Sequence, residues 1–190
     1  MIKRFRYFLP AFNSSIFVLY VIVPLILTLV VEGKGLSSMG FFLPSAYTIL
    51  VFTLLSYIIL FILFVAECWY RVVFKRQSID DVLPLPKNYW QELSDQVLCV
   101  AFPEEVLIRG YLLSHLIELL NPIVAIAISA AIFGLSPGHL LGGKLRALRT
   151  FVDAIVLGVT FIYAGLLPCL ILHFIGNLID PRLARAILSK

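Results

Sequence analysis

Long apolar runs recur along the chain, divided by short segments in which charge, glycine and proline collect. A helix needs about 20 residues to cross the hydrocarbon core. By that measure spans are expected over roughly 12–31, 40–66, 96–119, 123–135 and 148–163, with a sixth after the break at Gly165 and Pro168 running to about Ile179. The longest polar segment is 71–95, with Lys75-Arg76, Asp80-Asp81, Pro84 and Pro86. Its Tyr89-Trp90 pair suits a surface loop carrying an interfacial helix. Asn121-Pro122 is a turn signal, with proline at a first helical position. The run after it is rich in small residues, Ala125, Ala127, Ser129, Ala130, Ala131 and Gly134, which let helices approach closely in lipid. An interior helix is expected there. Ser136 to Lys144 is a glycine-rich turn with a histidine, and the tail from Asp180 is polar and basic.

Basic residues orient these spans. With the N-terminus in the cytoplasm, the cytoplasmic segments hold 13 of the 15 Lys and Arg residues, and the opposite face holds only Lys34. The positive-inside rule selects that arrangement. The expected fold is all-α, a polytopic transmembrane bundle of about six spans with both termini cytoplasmic. Residues 1–95 would supply two N-terminal spans and a cytoplasmic loop, and residues 96–190 a catalytic helical core of the same bundle. The apolar run from Ile16 to Val31 meets Glu32, Gly33 and Lys34 without a small-x-small cleavage pattern, so it reads as a retained first span.

Composition agrees. The 190 residues are 61% hydrophobic and 14% charged, with mean hydropathy +1.02, against about 45–50% apolar and about 25% charged in soluble domains. The net charge of +4 comes without the interleaved aromatics of a nucleic-acid groove, and basic residues here suit orientation and headgroup contact. Cys68, Cys99 and Cys169 are odd in number and lack metal-ligand spacing, so they read as small packing residues.

Candidate chemistry sits in the third run. Glu104, Glu105 and Arg109 fall within six residues of each other in an apolar context. Each ionisable group at membrane depth costs on the order of 2.5–3.5 kcal/mol, so such groups pair, face a cavity or work. Glu105 and Arg109 are at i and i+4, which suits a structural ion pair. Glu104 is turned about 100° away and free for another partner. Pro103 kinks or begins a helix at this point. His139 lies at the cytoplasmic mouth of the fourth span. His173 and Asn177, also at i and i+4, lie in the cytoplasmic half of the sixth. His115 reads as a packing or interfacial residue, and Asp153 as a partner of Arg149. Taken alone, His139 reads as a structural residue, and His173 with Asn177 as interhelical glue. Their arrival at one depth beside two glutamates argues for a site.

The ordered set Glu104-Glu105-x-x-x-Arg109-Gly110, a histidine after a Phe-Gly-Leu helix end, and His173-x-x-x-Asn177 resembles the three motifs of the CPBP family. That family includes the type II CAAX prenyl endopeptidases of the Ras-converting enzyme type. The likeness covers roughly 96–180. In the family's second motif phenylalanine precedes histidine by four residues; here Phe133 precedes His139 by six. The resemblance implies a glutamate-dependent intramembrane endopeptidase with Glu104 as general base and His139 holding the water. His173 and Asn177 would donate to the oxyanion. It implies no cofactor, and a membrane-anchored peptide or protein substrate, such as a lipidated or sorting tail, in a prokaryotic cell membrane.

Three rival readings use the same residues. Zinc could be held by Glu104, His139 and His173 with water in the fourth position. A non-catalytic membrane chaperone or immunity protein would keep the polar cluster for binding. A proton or ion carrier would use it as a relay.

Overall fold

The computed structural model describes residues 15–84 and 88–189. Among them every regular element is helical. The principal helices are α1 Ser15–Val31, α2 Ala46–Val73, the short α3 Ile79–Val82 and α4 Tyr89–Cys99. A continuous helix α5 covers 101–119. Then come α6 Pro122–Gly134, the short α7 Pro137–Leu140, α8 Lys144–Ala164, α9 Leu166–Leu178 and α10 Asp180–Leu188. The start of the first expected span, 12–14, lies outside the described residues.

Among the described residues two helices, α2 and α8, are long and apolar enough to cross a membrane, and α9 with α10, bent by 43°, counts as a third where the pair is taken as one span. The expected boundaries move in physically readable ways. Ser45 accepts from the backbone of Thr48, so α2 begins at Ala46 rather than near Gly40, and it runs on past Ala66 to Val73. The polar segment 71–95 therefore starts as helix. It then holds the short α3, capped by Ser78, and α4, capped by Asn88. Val100, at φ −124° and ψ −89°, breaks the third apolar run into α4 and α5. Pro103 sits in the first turn of α5, where its missing N–H leaves no hydrogen bond unmade.

Two helices carry widened turns. In α1 the N–H of Val23 bonds to the carbonyl of Val18, five residues back, just before Pro24. A proline removes a donor and crowds the preceding turn, and widening accommodates it. In α5 the widened stretch is Val106–Leu113, which holds Arg109.

Packing fits the small-residue expectation. α6 lies against α8 with almost no room to spare: a Cβ on Gly134 would stand 2.8 Å from Phe151 Cα. The buried residues of α6, Ala125, Ile126, Ser129, Ala130 and Phe133, form its contact face. Val106, Leu113, Leu157, Phe161, Leu166, Cys169 and Leu172 join α5, α8 and α9 in the main core. By contrast α2 turns Leu50, Leu54, Leu55, Ile58, Ile59 and Ile62 outward, as a lipid-facing helix must. It is tied to α8 by a buried 2.6 Å hydrogen bond between Ser56 and Thr160. A second core of Cys68, Val82, Leu83 and Ala184 seats the α3 segment between α2 and α10.

Candidate active site

The buried centre of the molecule is an ion pair. Glu105 and Arg109 have 0% and 1% of their side chains exposed, and Arg109 Nη1 donates to Glu105 Oε1 at 2.9 Å. The i,i+4 expectation holds here, on one wall of α5. A buried pair of this kind is tolerated only when its remaining valences are met. His173 of α9 meets one of them, its Nδ1 lying 2.7 Å from the same Glu105 oxygen. The Arg109 guanidinium also covers the ring of Phe133 at 4.8 Å.

With Nδ1 committed to Glu105, the other ring nitrogen of His173 faces Glu104: Nε2 stands 3.8 Å from Glu104 Oε2. That distance is too long for a direct hydrogen bond and short enough for a shared third group. Glu104 keeps a quarter of its side chain exposed. Its position one residue before Glu105, on a helix turning about 100° per residue, separates the two carboxylates while one histidine spans both.

His139 reaches the same region by an unexpected route. After α6 ends, Ser136 and Pro137 start α7, and this turn absorbs the two extra residues between Phe133 and His139. The two rings still meet, with centroids 4.8 Å apart. Phe133 also stands edge-on to His173, at 6.5 Å. One phenylalanine thus contacts Arg109, His139 and His173. His139 lies outside the membrane-spanning helices, and burial, helped by the nearby Arg146, pushes its pKa down to about 4. It is a neutral imidazole at physiological pH.

Asn177 lies one turn beyond His173, and its Nδ2 donates to Gln96 Oε1 of α4 at 2.7 Å. Gln96 is 8% exposed. Composition alone did not single it out, although a glutamine at the edge of an apolar run was the available signal. His139, His173, Asn177 and Gln96 line one cavity of about 410 Å³. The lining of that cavity also carries a second charged group. Arg149 Nε donates to Glu67 Oε2 at 2.5 Å and Arg149 Nη1 to Asp153 Oδ2, while Arg71 approaches Glu67 Oε1 at 3.4 Å. The Arg149–Asp153 pairing matches the expectation from spacing. Glu67, the acid closing an otherwise uncharged helix with Arg71 four residues on, was the unread sign of this second group.

His115 lies apart from the cavity. It bonds through Nε2 to Glu32 and through Nδ1 to the carbonyl of Tyr111. Cys68 and Cys169 are buried and all three cysteines are free.

Residues 87–179 match the profile described as type II CAAX prenyl endopeptidase Rce1-like. This segment is similar to that family over just under half of the chain. The match starts just before α4 and ends just after α9, so the Rce1-like segment contains Gln96, the acid pair, Arg109, both site histidines and Asn177. Glu67 and Arg71 lie before it. Comparison with curated proteins and with solved structures returned no match.

Among the described residues no three His, Cys, Asp or Glu side chains are grouped as metal ligands. The alternative zinc set of Glu104, His139 and His173 is therefore not assembled, and His173 spends Nδ1 on Glu105.

Proposed function

We propose that this chain is an intramembrane endopeptidase that hydrolyses a peptide bond of a membrane-associated substrate near the cytoplasmic face. The observation that carries the reading is His173, which lines a cavity of about 410 Å³, is bonded to buried Glu105 and is turned toward Glu104, a quarter of whose side chain is exposed. The Rce1-like match over residues 87–179 supports the reaction class. A bundle of about six spans with both termini cytoplasmic suits the distribution of Lys and Arg, with residues 96–190 as its catalytic part.

In this mechanism Glu104 takes a proton from a water molecule as the water oxygen attacks the peptide carbonyl carbon. Electrons of the carbonyl move to its oxygen. His173 through Nε2, and Asn177 through the amide hydrogen not given to Gln96, stabilise that developing charge. Neutral His139 holds the water in place. Collapse of the intermediate breaks the C–N bond, and Glu104 returns its proton to the leaving amine. Glu105 and Arg109 act as positioning residues, since the pair fixes the ring of His173. Substrates suited to this cavity are lipidated or otherwise membrane-tethered tails.

The test is a comparison of membrane peptides from cells expressing the unaltered chain or Glu104→Gln. A cleavage product present only with the unaltered chain is expected, and its persistence in chelator would separate this route from a zinc-dependent one. Matching peptide profiles, with the chain's phenotype surviving the substitution, would replace the enzyme by a binding protein of the same fold.

A further inference from the structure

Three arginines line the cavity, and two of them are matched by acids. Arg71 and Arg149 both pair with Glu67, and Arg149 also donates to Asp153. Arg146 is different. It is exposed, and among the described residues it has no carboxylate partner, although the other arginines at this end of the bundle have one.

The turn before α8 sets the place of this cation. Gly142 lies between α7 and α8, and a Cβ there would stand 2.4 Å from Arg146 Cδ. The arginine stem therefore folds back across the glycine, through space that a side chain would fill. The same point is 3.2 Å from Arg146 Nε and 3.2 Å from the carbonyl oxygen of His139, so the head of the arginine begins beside the backbone of a site residue. Its charge is felt at the imidazole too: after burial, Arg146 is the largest influence holding the His139 pKa down to about 4. Membrane orientation does not account for this direction. Lys144, in the same first turn of α8, serves the positive-inside rule equally well and does not line the cavity.

An unmatched cation in a cavity lining acts as a selector. Its guanidinium is solvated while the cavity holds water. A peptide entering the cavity removes part of that water, at a cost that only an incoming anion offsets. A carboxylate suits a guanidinium best, through two parallel N–H···O bonds.

We infer that Arg146 is a substrate-specificity residue that binds a carboxylate of the peptide, supplied by its C-terminus or by an acidic side chain. The inference rests on the endopeptidase reading and deepens it: Glu104 and His173 act at the scissile carbonyl, and Arg146, beside His139, selects which tails are held.

The probes are three randomised decapeptide libraries, each peptide carrying one S-farnesyl cysteine, of the substrate class that the family name describes. The first ends in a free acid and lacks Asp and Glu. The second is the same with a C-terminal amide, and the third has the amide and one glutamate. Each is passed over the full chain bearing Glu104→Gln in nanodiscs of uncharged lipid, and retained peptide is quantified by mass spectrometry. At least one carboxylate library should be retained about tenfold better than the uncharged one, and which one identifies the source. Arg146→Gln should abolish the preference without lowering Tm or retention of the uncharged library. Lys144→Gln should leave the preference intact. Gly142→Ala keeps every charge but displaces the Arg146 stem, and should weaken it.

Equal retention of the three libraries overturns the inference and leaves the endopeptidase reading standing. So does a preference that survives Arg146→Gln, or one lost equally with Lys144→Gln, which marks a general field and not a site. Should Arg146→Gln lower Tm, Gly142→Ala decides, and an undiminished preference overturns the inference. Retention of no library overturns the peptide-binding reading as well.

Discussion

His173 is bonded to one glutamate and faces its neighbour, with Nδ1 2.7 Å from Glu105 Oε1 and Nε2 3.8 Å from Glu104 Oε2. Adjacent residues on α5 therefore take opposite parts. The first keeps a quarter of its side chain exposed; the second is sealed in with Arg109 and bonded to the ring.

Stability should separate the two kinds of ion pair in this molecule. Arg109→Met strips a fully buried carboxylate of its cation and should cost about 3–5 kcal/mol. Lys34→Met breaks a 2.6 Å pair to Glu118 whose members are 33% and 51% exposed, and exposed pairs are worth about 0–1 kcal/mol. Unfolding of both variants in the same lipid gives the comparison. Similar losses would mean that Glu105 and Arg109 are not sealed from water.

Gln96→Leu should lower kcat about tenfold with little change in KM. The variant frees Asn177 Nδ2 from its 2.7 Å acceptor and lets the amide rotate away from the oxyanion position. A product assay over a range of substrate concentrations reads the split. A loss confined to KM would place Asn177 in substrate binding instead.

His139 predicts a pH dependence of known sign. Its pKa in the folded protein is pushed down to about 4, mainly by burial, against about 6.5 in an unfolded chain. Between those values the unfolded chain binds the extra proton, so stability is full above about pH 6.5 and falls as pH drops toward 4. Thermal unfolding across that window should show the fall, and His139→Gln should remove part of it. Arg146→Gln, which removes a nearby cation, should move the imidazole titration upward in an NMR measurement.

Gly134→Ala should destabilise by about 1–3 kcal/mol, because its Cβ would meet the Phe151 backbone at 2.8–2.9 Å and backbone cannot step aside as a flexible side chain does. Since Phe133 precedes this glycine and contacts Arg109, His139 and His173, activity should fall with it. Tm and turnover measured on one preparation test the coupling.

Much of this was legible in one dimension. Hydropathy and charge determined that the chain is helical and membrane-embedded, because lipid forces backbone polar groups into helices. The spacing of Glu105 and Arg109 determined their pairing, since i,i+4 contacts depend on one helix alone. The same logic paired Arg149 with Asp153. The family resemblance grouped Glu104, His139, His173 and Asn177; of these, His139, His173 and Asn177 line one cavity and Glu104 stands beside His173.

Only the tertiary structure decided which glutamate His173 binds, because residues 68 apart meet through the packing of α9 on α5 and not through any local period. It decided that Gln96 holds Asn177, and that Glu67 and Arg149 form a second charged group. It also brought His139 back to Phe133 across an altered spacing, through the turn that starts α7. Local rules govern what one helix does with its own neighbours. Which helices face each other depends on the packing of glycines, small residues and rings along their whole length, and that was decided in three dimensions.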